Sequence, residues 1–473
     1  MTDQVVETVA EGVARARAAF ATWGVTTPAD RAAALAAVRR QVVASADRIV
    51  EVVTAETGKP AADVVMAEVT HAAAHADWLA RQAPAILATR RVSPRPVWTK
   101  SAWLAQRPRG VAAVIAPWNY PFLLPFLPVA TALAAGCTVV LKPSEVTPRS
   151  GALVAEVVAA AGLPPGVVQV VQGDAATGAA LVAADVDVVA VTGSTRTGRS
   201  VARAAAERLV PVVAELGGKD ALVVLADADL RRAARATAWG ACFNAGQSCV
   251  SVERVYVEAA VHDAFVAELE RALDAVTAGS GDARTDIGPL IGPGQADVVL
   301  AHVADAVARG ATLCRGGRRV DAGGRPYVEP ALLTGVDHAM TVMREETFGP
   351  VLPVMAVADE AAAVEAVNDC AYALAASVWT ADRDRGLRVA ARLRAGAVAV
   401  NDVAVNYAMP QLPFGGSGAS GTGRQGGGEG LLAYCMTQTI TDSRFRPGRE
   451  PQWFPRIAGP AGWRRLARLL YGR

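Results

Sequence analysis

Two short runs hold the residues whose types and spacing could do chemistry. Cys249 ends the run Phe243-Asn244-Ala245-Gly246-Gln247-Ser248-Cys249, and Glu215 opens Glu215-Leu216-Gly217-Gly218-Lys219 thirty-four residues before it. A thiolate attacks a carbonyl carbon, and a carboxylate can afterwards activate the water that releases the acyl group. Glycines punctuate both runs, the kind of setting in which a thiolate is reachable. The pair suits oxidation of an aldehyde through a covalent sulfur adduct, provided the chain also holds an electron acceptor.

Three further runs could serve that acceptor and the carbonyl oxygen. Thr192-Gly193-Ser194-Thr195-Arg196-Thr197-Gly198 follows a strand-like stretch and opens a helix-like one, where backbone donors can hold a pyrophosphate. Its glycine spacing is neither G-x-G-x-x-G nor that of a P-loop, so a plain strand-to-helix turn competes. Leu141-Lys142-Pro143-Ser144-Glu145 ends a strand, where α/β sheets contact nucleotides. Lys142 and Glu145 could address ribose hydroxyls, and the acid disfavours a 2′-phosphate, which favours NAD over NADP. A surface ion pair is the plainer reading. Pro117-Trp118-Asn119-Tyr120-Pro121 sets an amide in a rigid, apolar segment. Asn119 either satisfies loop backbone or donates to an oxyanion beside the thiol.

Rare residue types add to this. The chain has 43 arginines and four lysines, Lys59, Lys100, Lys142 and Lys219, so a lysine can mark a place that a guanidinium does not fit. His71 and His75 share a helix face at i, i+4 but lack the further ligands a metal needs, so no metal is expected. The cysteines other than Cys249 read as small buried hydrophobes.

The elements that position these residues follow from periodicity. Residues 4–90 read as helices, and 97–106 as a strand or hairpin arm. Strand-like runs at 111–116, 138–141, 167–171 and 186–191 alternate with helix-like runs at 150–161, 177–184 and 198–209. Such alternation points to a parallel α/β sheet. A second series runs from 221–225 to about 400, with strands at 252–257 and 351–357 and helices at 259–278 and 295–309. Residues 415–430 hold nine glycines and read as a loop.

Size and composition limit the alternatives. The 473 residues suit two or three domains, and 52% hydrophobic residues allow a large core. Residues 443–473 carry eight arginines and one acid, a net +7, which leaves about −5 on the rest and no footprint for nucleic acid. No signal peptide is evident and six cysteines are too sparse for a disulfide framework, so a cytoplasmic location is expected. Residues 111–141 lack formal charge, but four prolines and Asn119 read better as two buried elements and a loop than as a membrane span.

Taken in order, the runs Glu56–Pro60, Pro117–Pro121, Leu141–Pro148, Thr192–Gly198, Glu215–Lys219, Phe243–Cys249, Glu346–Pro350 and Pro413–Gly416 resemble the aldehyde dehydrogenase superfamily over residues 10 to 440. The resemblance implies that Cys249 attacks the aldehyde while Asn119 and the Cys249 N–H hold the oxyanion, and that Glu215 activates the hydrolytic water. It implies that Lys142 and Glu145 hold the adenosine ribose. Gly193, Ser194 and Gly198 would hold the pyrophosphate with Trp118 beside it, and Glu346 and Phe348 the nicotinamide ribose and ring. The implied cofactor is NAD, with NADP as the alternative. Glu215 favours hydrolysis to the free acid over transfer to coenzyme A, and residues 215–257 look closest to dehydrogenases of carotenoid dialdehydes and other lipophilic aldehydes.

The implied fold is α/β: a Rossmann-like dinucleotide-binding domain (1–90 and 108–216), an α/β catalytic domain (217–420) and a small oligomerisation hairpin (91–107 and 431–442), followed by a basic amphipathic tail (443–473). Residues 97–106 and 432–441 match the hairpin positions and imply a homodimer or homotetramer. Two departures stand out: Gly418 where many relatives carry lysine, and Ala373 where glycine is usual.

After Asn119, residues 120–127 are apolar and offer no cation for a second carboxylate, which suits alkyl, aryl or terpenoid aldehydes better than succinic or another semialdehyde. In the tail, Trp463, Leu466, Leu469 and Leu470 share one helix side and Arg464, Arg465 and Arg468 the other, which fits a peripheral contact with an anionic membrane. Packing of that tail on the domain or on a neighbouring subunit is the alternative. A non-catalytic binding or structural protein on this fold, or an esterase using the same thiol, are the competing functions.

Overall fold

A computed structural model describes residues 8–279, 285–322, 324–450, 452–456 and 459–472. Among the described residues five α-helices, from Val9–Trp23 to His71–Leu87, precede the first strand, with a π-helical turn at Val64–Thr70. Thr8 and Thr27 begin the first two helices with capping boxes, each threonine hydroxyl accepting from the backbone three residues on.

The strands Val212–Glu215, Val188–Thr192, Val111–Ile115, Thr138–Lys142 and Val168–Val170 form a parallel sheet in that order. Val111–Val114 and the whole of Thr138–Lys142 are buried, as runs without polar alternation should be when helices cover both sheet faces. The uncharged stretch 111–141 resolves into two strands flanking the helix Leu123–Ala135. Among the described residues no helix is long and apolar enough to cross a membrane.

A seven-stranded sheet runs Thr312–Arg315, Ala331–Thr334, Val351–Val357, Val252–Glu258, Asp220–Val224, Ala375–Trp379 and Ala397–Val400, parallel except for its first strand. Glu215 ends a strand of one sheet and Asp220 begins a strand of the other. The Glu215–Lys219 run is therefore the bridge between the two sheets.

Several expected elements differ. The strand anticipated at 97–106 is Lys100–Pro108, because Val97 and Lys100 close a turn through Val97 N–Pro94 O and Lys100 N–Val97 O bonds. It pairs with Cys435–Ser443, not 432–441, since the helix Gly427–Ala433 occupies the earlier positions. With Arg90–Val92 these make a three-stranded antiparallel sheet.

The glycine-rich stretch 415–430 is not a loop throughout. Gly421–Thr422 adds an antiparallel edge to the six-stranded sheet beside Glu215, and Ser417–Gly418 pairs with Tyr372–Ala373. At Gly421, with φ of 117°, a side chain would start 2.0 Å from the Ala214 carbonyl oxygen. Glycine here permits the strand to close on its neighbour.

Cys314 also departs from expectation, being exposed on the edge strand Thr312–Arg315, whereas Cys137, Cys242, Cys370 and Cys435 are buried. His75 is buried, its Nε2 bonded to Thr131 Oγ1 at 2.9 Å.

Candidate active site

Cys249 follows a turn of unusual backbone. Asn244, Ala245 and Gly246 have φ of 51°, 57° and 72°, a left-handed conformation that costs a residue with a side chain energy. The turn is held from all sides. Asn244 Nδ2 donates to the Asn119 and Gln247 carbonyls at 3.0 Å, Gln247 Nε2 to Asn244 O at 3.0 Å, and Gln247 Oε1 accepts from Ile291 N at 2.8 Å. At Gly246 a side chain would collide with the Gly349 backbone at 2.3 Å.

Asn119 arrives from the other direction. Its Nδ2 donates to Gln247 O at 3.1 Å, which uses one of two amide hydrogens. The other is available to a cavity that both Asn119 and Cys249 line. A buried ion pair holds this wall: Lys59 Nζ donates to Glu68 Oε1 at 2.7 Å and to Asn119 O at 3.0 Å, and lies 4.1 Å over the Tyr120 ring. Glu68 Oε2 accepts from the Phe122 and Leu123 N–H groups at 2.8 and 3.2 Å, fixing the start of the helix Leu123–Ala135.

The opposite wall repeats the device. Lys219 Nζ donates to Glu253 Oε2 at 2.6 Å, and Glu253 accepts from the Thr347 and Phe348 N–H groups at 2.7 and 2.9 Å. Glu346 Oε1 accepts from Gly218 N at 3.0 Å. The glycine pair explains this closeness. At Gly217 a side chain would start 2.5 Å from Glu346 Oε2, and at Gly218 it would start 2.2 Å from the Cys249 carbonyl oxygen.

Buried acids crowd the site with little positive charge beside them, and they hold their protons. Burial pushes the Cys249 thiol up, and the charges of Asp220, Glu346 and Glu215 add to it. The thiol is enclosed by protein yet opens onto cavity space, so it rests protonated and needs a base at hand. Glu215 is 6% exposed with neither carboxylate oxygen hydrogen-bonded. Burial raises its pKa well above the usual carboxylate range, against the pull of Arg424. Burial, and then Glu253, raise Glu346 to about 8.

Two cavities meet at Cys249. One, of about 260 Å³, runs from Thr192, Gly193 and Ser194 past Trp118 and Phe348 to Asn119, Glu215 and Cys249. Ser194 caps the helix Thr195–Ala206, its Oγ accepting from Thr197 N at 3.2 Å. The remaining first-turn N–H groups have no acceptor within the helix and suit a phosphate. Trp118 and Phe348 meet edge to face at 5.5 Å. Backbone donors at one end and an aromatic pair and buried carboxylates at the other fit a dinucleotide.

Lys142 and Glu145 lie at the end of their strand, paired with each other at 2.8 Å, and do not line this cavity. Gly198 spends its N–H on Ser194 O at 2.9 Å. A side chain there would start 2.4 Å from Leu216 Cδ2, so this glycine serves helix–sheet packing.

The second cavity, of about 350 Å³, is walled by Met66, Leu124, Trp239, Phe243, Val403 and Tyr407 among others, with His71 and Asp402 but no arginine or lysine. Of residues 120–127 only Tyr120, Leu123 and Leu124 line it; Phe122 and Phe126 turn into the core because the segment is helical from Leu123. Sequence reasoning missed Trp239, Val403 and Tyr407, which come from two distant segments without a motif, and gave Phe243, at the head of the cysteine run, no part in a substrate wall. It also missed Glu68 and Glu253, although the scarcity of lysine pointed at their partners. Among the described residues no cluster of three or more His, Cys, Asp or Glu could hold a metal ion.

Residues 1–440 match the Aldehyde dehydrogenase family. The chain is 41% identical over 471 residues, 98% of its length and 87% of the relative's, to 4,4'-diapolycopene aldehyde oxidase of a Methylomonas species. It is 41% identical over 442 residues to a putative succinate-semialdehyde dehydrogenase [NADP(+)] of Mycolicibacterium smegmatis, covering 93% of this chain and 85% of that one. The crystal structure of a Mycobacterium tuberculosis aldehyde dehydrogenase complexed with NAD+ superposes with a TM-score of 0.88 at 35% identity, over 92% of this chain and 90% of that one.

Proposed function

The chain belongs to the aldehyde dehydrogenase family and oxidises an aldehyde to the acid with a nicotinamide acceptor, and we propose that its substrates are lipophilic alkyl, aryl or terpenoid aldehydes. The observation that carries this is the cavity of about 350 Å³ ending on Cys249, apolar and without a cation to hold a second carboxylate. The relatives named for succinic semialdehyde favour the other substrate class. A panel running from succinic semialdehyde through benzaldehyde and octanal to a long terpenoid aldehyde, followed by reduced-cofactor formation, decides. We expect kcat/KM to rise with apolar length, and a preference for succinic semialdehyde over octanal and benzaldehyde overturns the reading.

In the proposed mechanism the Cys249 thiol gives its proton to solvent as sulfur adds to the carbonyl carbon. Asn119 Nδ2 and the Cys249 N–H donate to the developing oxyanion. A bound nicotinamide dinucleotide supplies the hydride acceptor for that carbon. At the thioester, Glu215, having lost its proton to solvent, takes one from water as the oxygen adds. Expulsion of the Cys249 sulfur then frees the acid, and the proton on Glu215 restores the thiol. Trp118, Gly193, Ser194, Glu346 and Phe348 would position the dinucleotide in the first cavity, and Lys142 with Glu145 its adenosine ribose. The Glu145 carboxylate, kept ionised by its hydrogen bond from Lys142, makes NAD the preferred form. Dehydrogenase turnover that survives Cys249→Ala would point instead to chemistry elsewhere on the fold.

Two assembly features belong to the same reading. The sheet of Lys100–Pro108 and Cys435–Ser443 leaves most of its last strand exposed, and we place the subunit contact of a homodimer or homotetramer there, testable by light scattering. The helix Pro460–Tyr471 buries no residue and exposes Trp463, Leu466 and Leu469. The tail's acid, Glu450, pairs with Lys100, while Arg464, Arg465 and Arg468 make no ion pair among the described residues. We assign this face to an anionic lipid surface, where apolar aldehydes concentrate. Full-length protein should sediment with phosphatidylserine vesicles and protein lacking residues 445–473 should not; equal partitioning removes the assignment.

A further inference from the structure

Glu215 has a second neighbour space that the reaction scheme does not use. Behind it lies a cavity of about 10 Å³, room for roughly one water, lined by Glu215, Thr131, Thr192, Arg424, Gln425 and Tyr434 among others. Arg424 reaches this spot because Gly421 pairs with Glu215, and Leu216 N donates to Ser420 O at 3.1 Å, which folds the 415–425 stretch against the end of the strand. Its guanidinium is anchored, Nη1 donating to Gly416 O at 3.0 Å and to Gly423 O at 2.6 Å.

Gly415 lies between the acid and the stem of the arginine side chain. At Gly415, with φ of 152°, a side chain would start 2.7 Å from Glu215 Oε1 and 3.1 Å from Arg424 Cδ. Cys249, Tyr407 and Tyr434 also sense Glu215, and none of these is a cation.

We infer that Arg424 is a positioning residue for Glu215: set behind the carboxylate across a water-sized cavity, it supplies the positive charge that keeps the buried acid competent as a base. This role needs nothing from the substrate, but it rests on Glu215 as the base of thioester hydrolysis. A carboxylate with two unpartnered oxygens and no cation would stay protonated through neutral pH, and a protonated acid cannot accept a proton from water. The direction of the electrostatics agrees, Arg424 opposing the upward push of burial.

The test is hydrolysis of the acyl-enzyme formed from p-nitrophenyl acetate without cofactor, followed against pH in Arg424→Gln and Arg424→Lys. Arg424→Gln should move the acid limb of deacylation upward by about one pH unit, with the acylation burst amplitude unchanged. Arg424→Lys should keep the limb near that of the parent protein. A Gln profile superimposable on the parent's overturns the inference. So does a Lys variant displaced as far as the Gln variant, which would assign Arg424 to its bonds with Gly416 and Gly423. Unchanged deacylation in Glu215→Gln would remove the underlying base instead, a separate outcome.

Discussion

The two cavities that meet at Cys249 are made of different materials. The smaller is walled by backbone, glycine, two carboxylates and an aromatic pair. The larger is walled by the apolar side chains of several separated segments. Backbone donors and glycine approaches work only in particular turns, so the first wall is written in short runs of sequence. An apolar wall is met by many combinations of side chains, so the second can vary while the chemistry at the sulfur persists. One side of the sulfur is built for one fixed partner and the other for a choice of substrates.

The largest effect should come at Cys249, the point both cavities share. Cys249→Ala should lower dehydrogenase and esterase turnover together by a factor on the order of 10⁴ or more; residual esterase activity above the uncatalysed rate would locate another nucleophile. Glu215→Gln breaks only the hydrolytic half. It should cost roughly 10²–10⁴ in kcat while rapid mixing still shows a stoichiometric burst of reduced cofactor. In the parent protein, activity should rise with pH along a limb displaced above the ordinary carboxylate range, because Glu215 must lose its proton before it can act and burial holds that proton on.

Smaller effects sharpen the contrast. Val405→Arg places a cation at the wall of the apolar cavity. It should lower kcat/KM for octanal about fivefold relative to succinic semialdehyde, roughly one ion pair's worth, without changing the KM for NAD. Glu145→Gln addresses the other side alone: NADP should gain about fivefold over NAD, with the aldehyde ranking untouched. Any variant that moved both rankings would show the cavities to be coupled.

Legibility in the sequence follows the same division. The α/β series was readable because buried parallel strands are unbroken apolar runs, as at Val111–Val114, and most strand positions fell within a residue or two of those observed. The stretch 415–430 was misread because nine glycines look like a loop, whereas several of them are the places where backbone closes on backbone. The candidate nucleophile, base and amide, Cys249, Glu215 and Asn119, stood out by type and context, and the scarcity of lysine marked Lys59 and Lys219. Their partners Glu68 and Glu253 could not be chosen from many glutamates without knowing which helix or strand faces which lysine. Trp239 and Tyr407 belong to the site only because the helix Leu230–Cys242 and the turn Val405–Ala408 pack around one space.

The turn that presents the sulfur has a consequence for any search for hardier variants. Asn244 and Ala245 each hold a conformation that costs on the order of 1–3 kcal/mol in a residue with a side chain. Glycine at 245 would relieve that cost and leave the nucleophile on a looser hinge. A library sorted by heat tolerance alone would therefore enrich Ala245→Gly, and the survivors it favoured would be the slower catalysts.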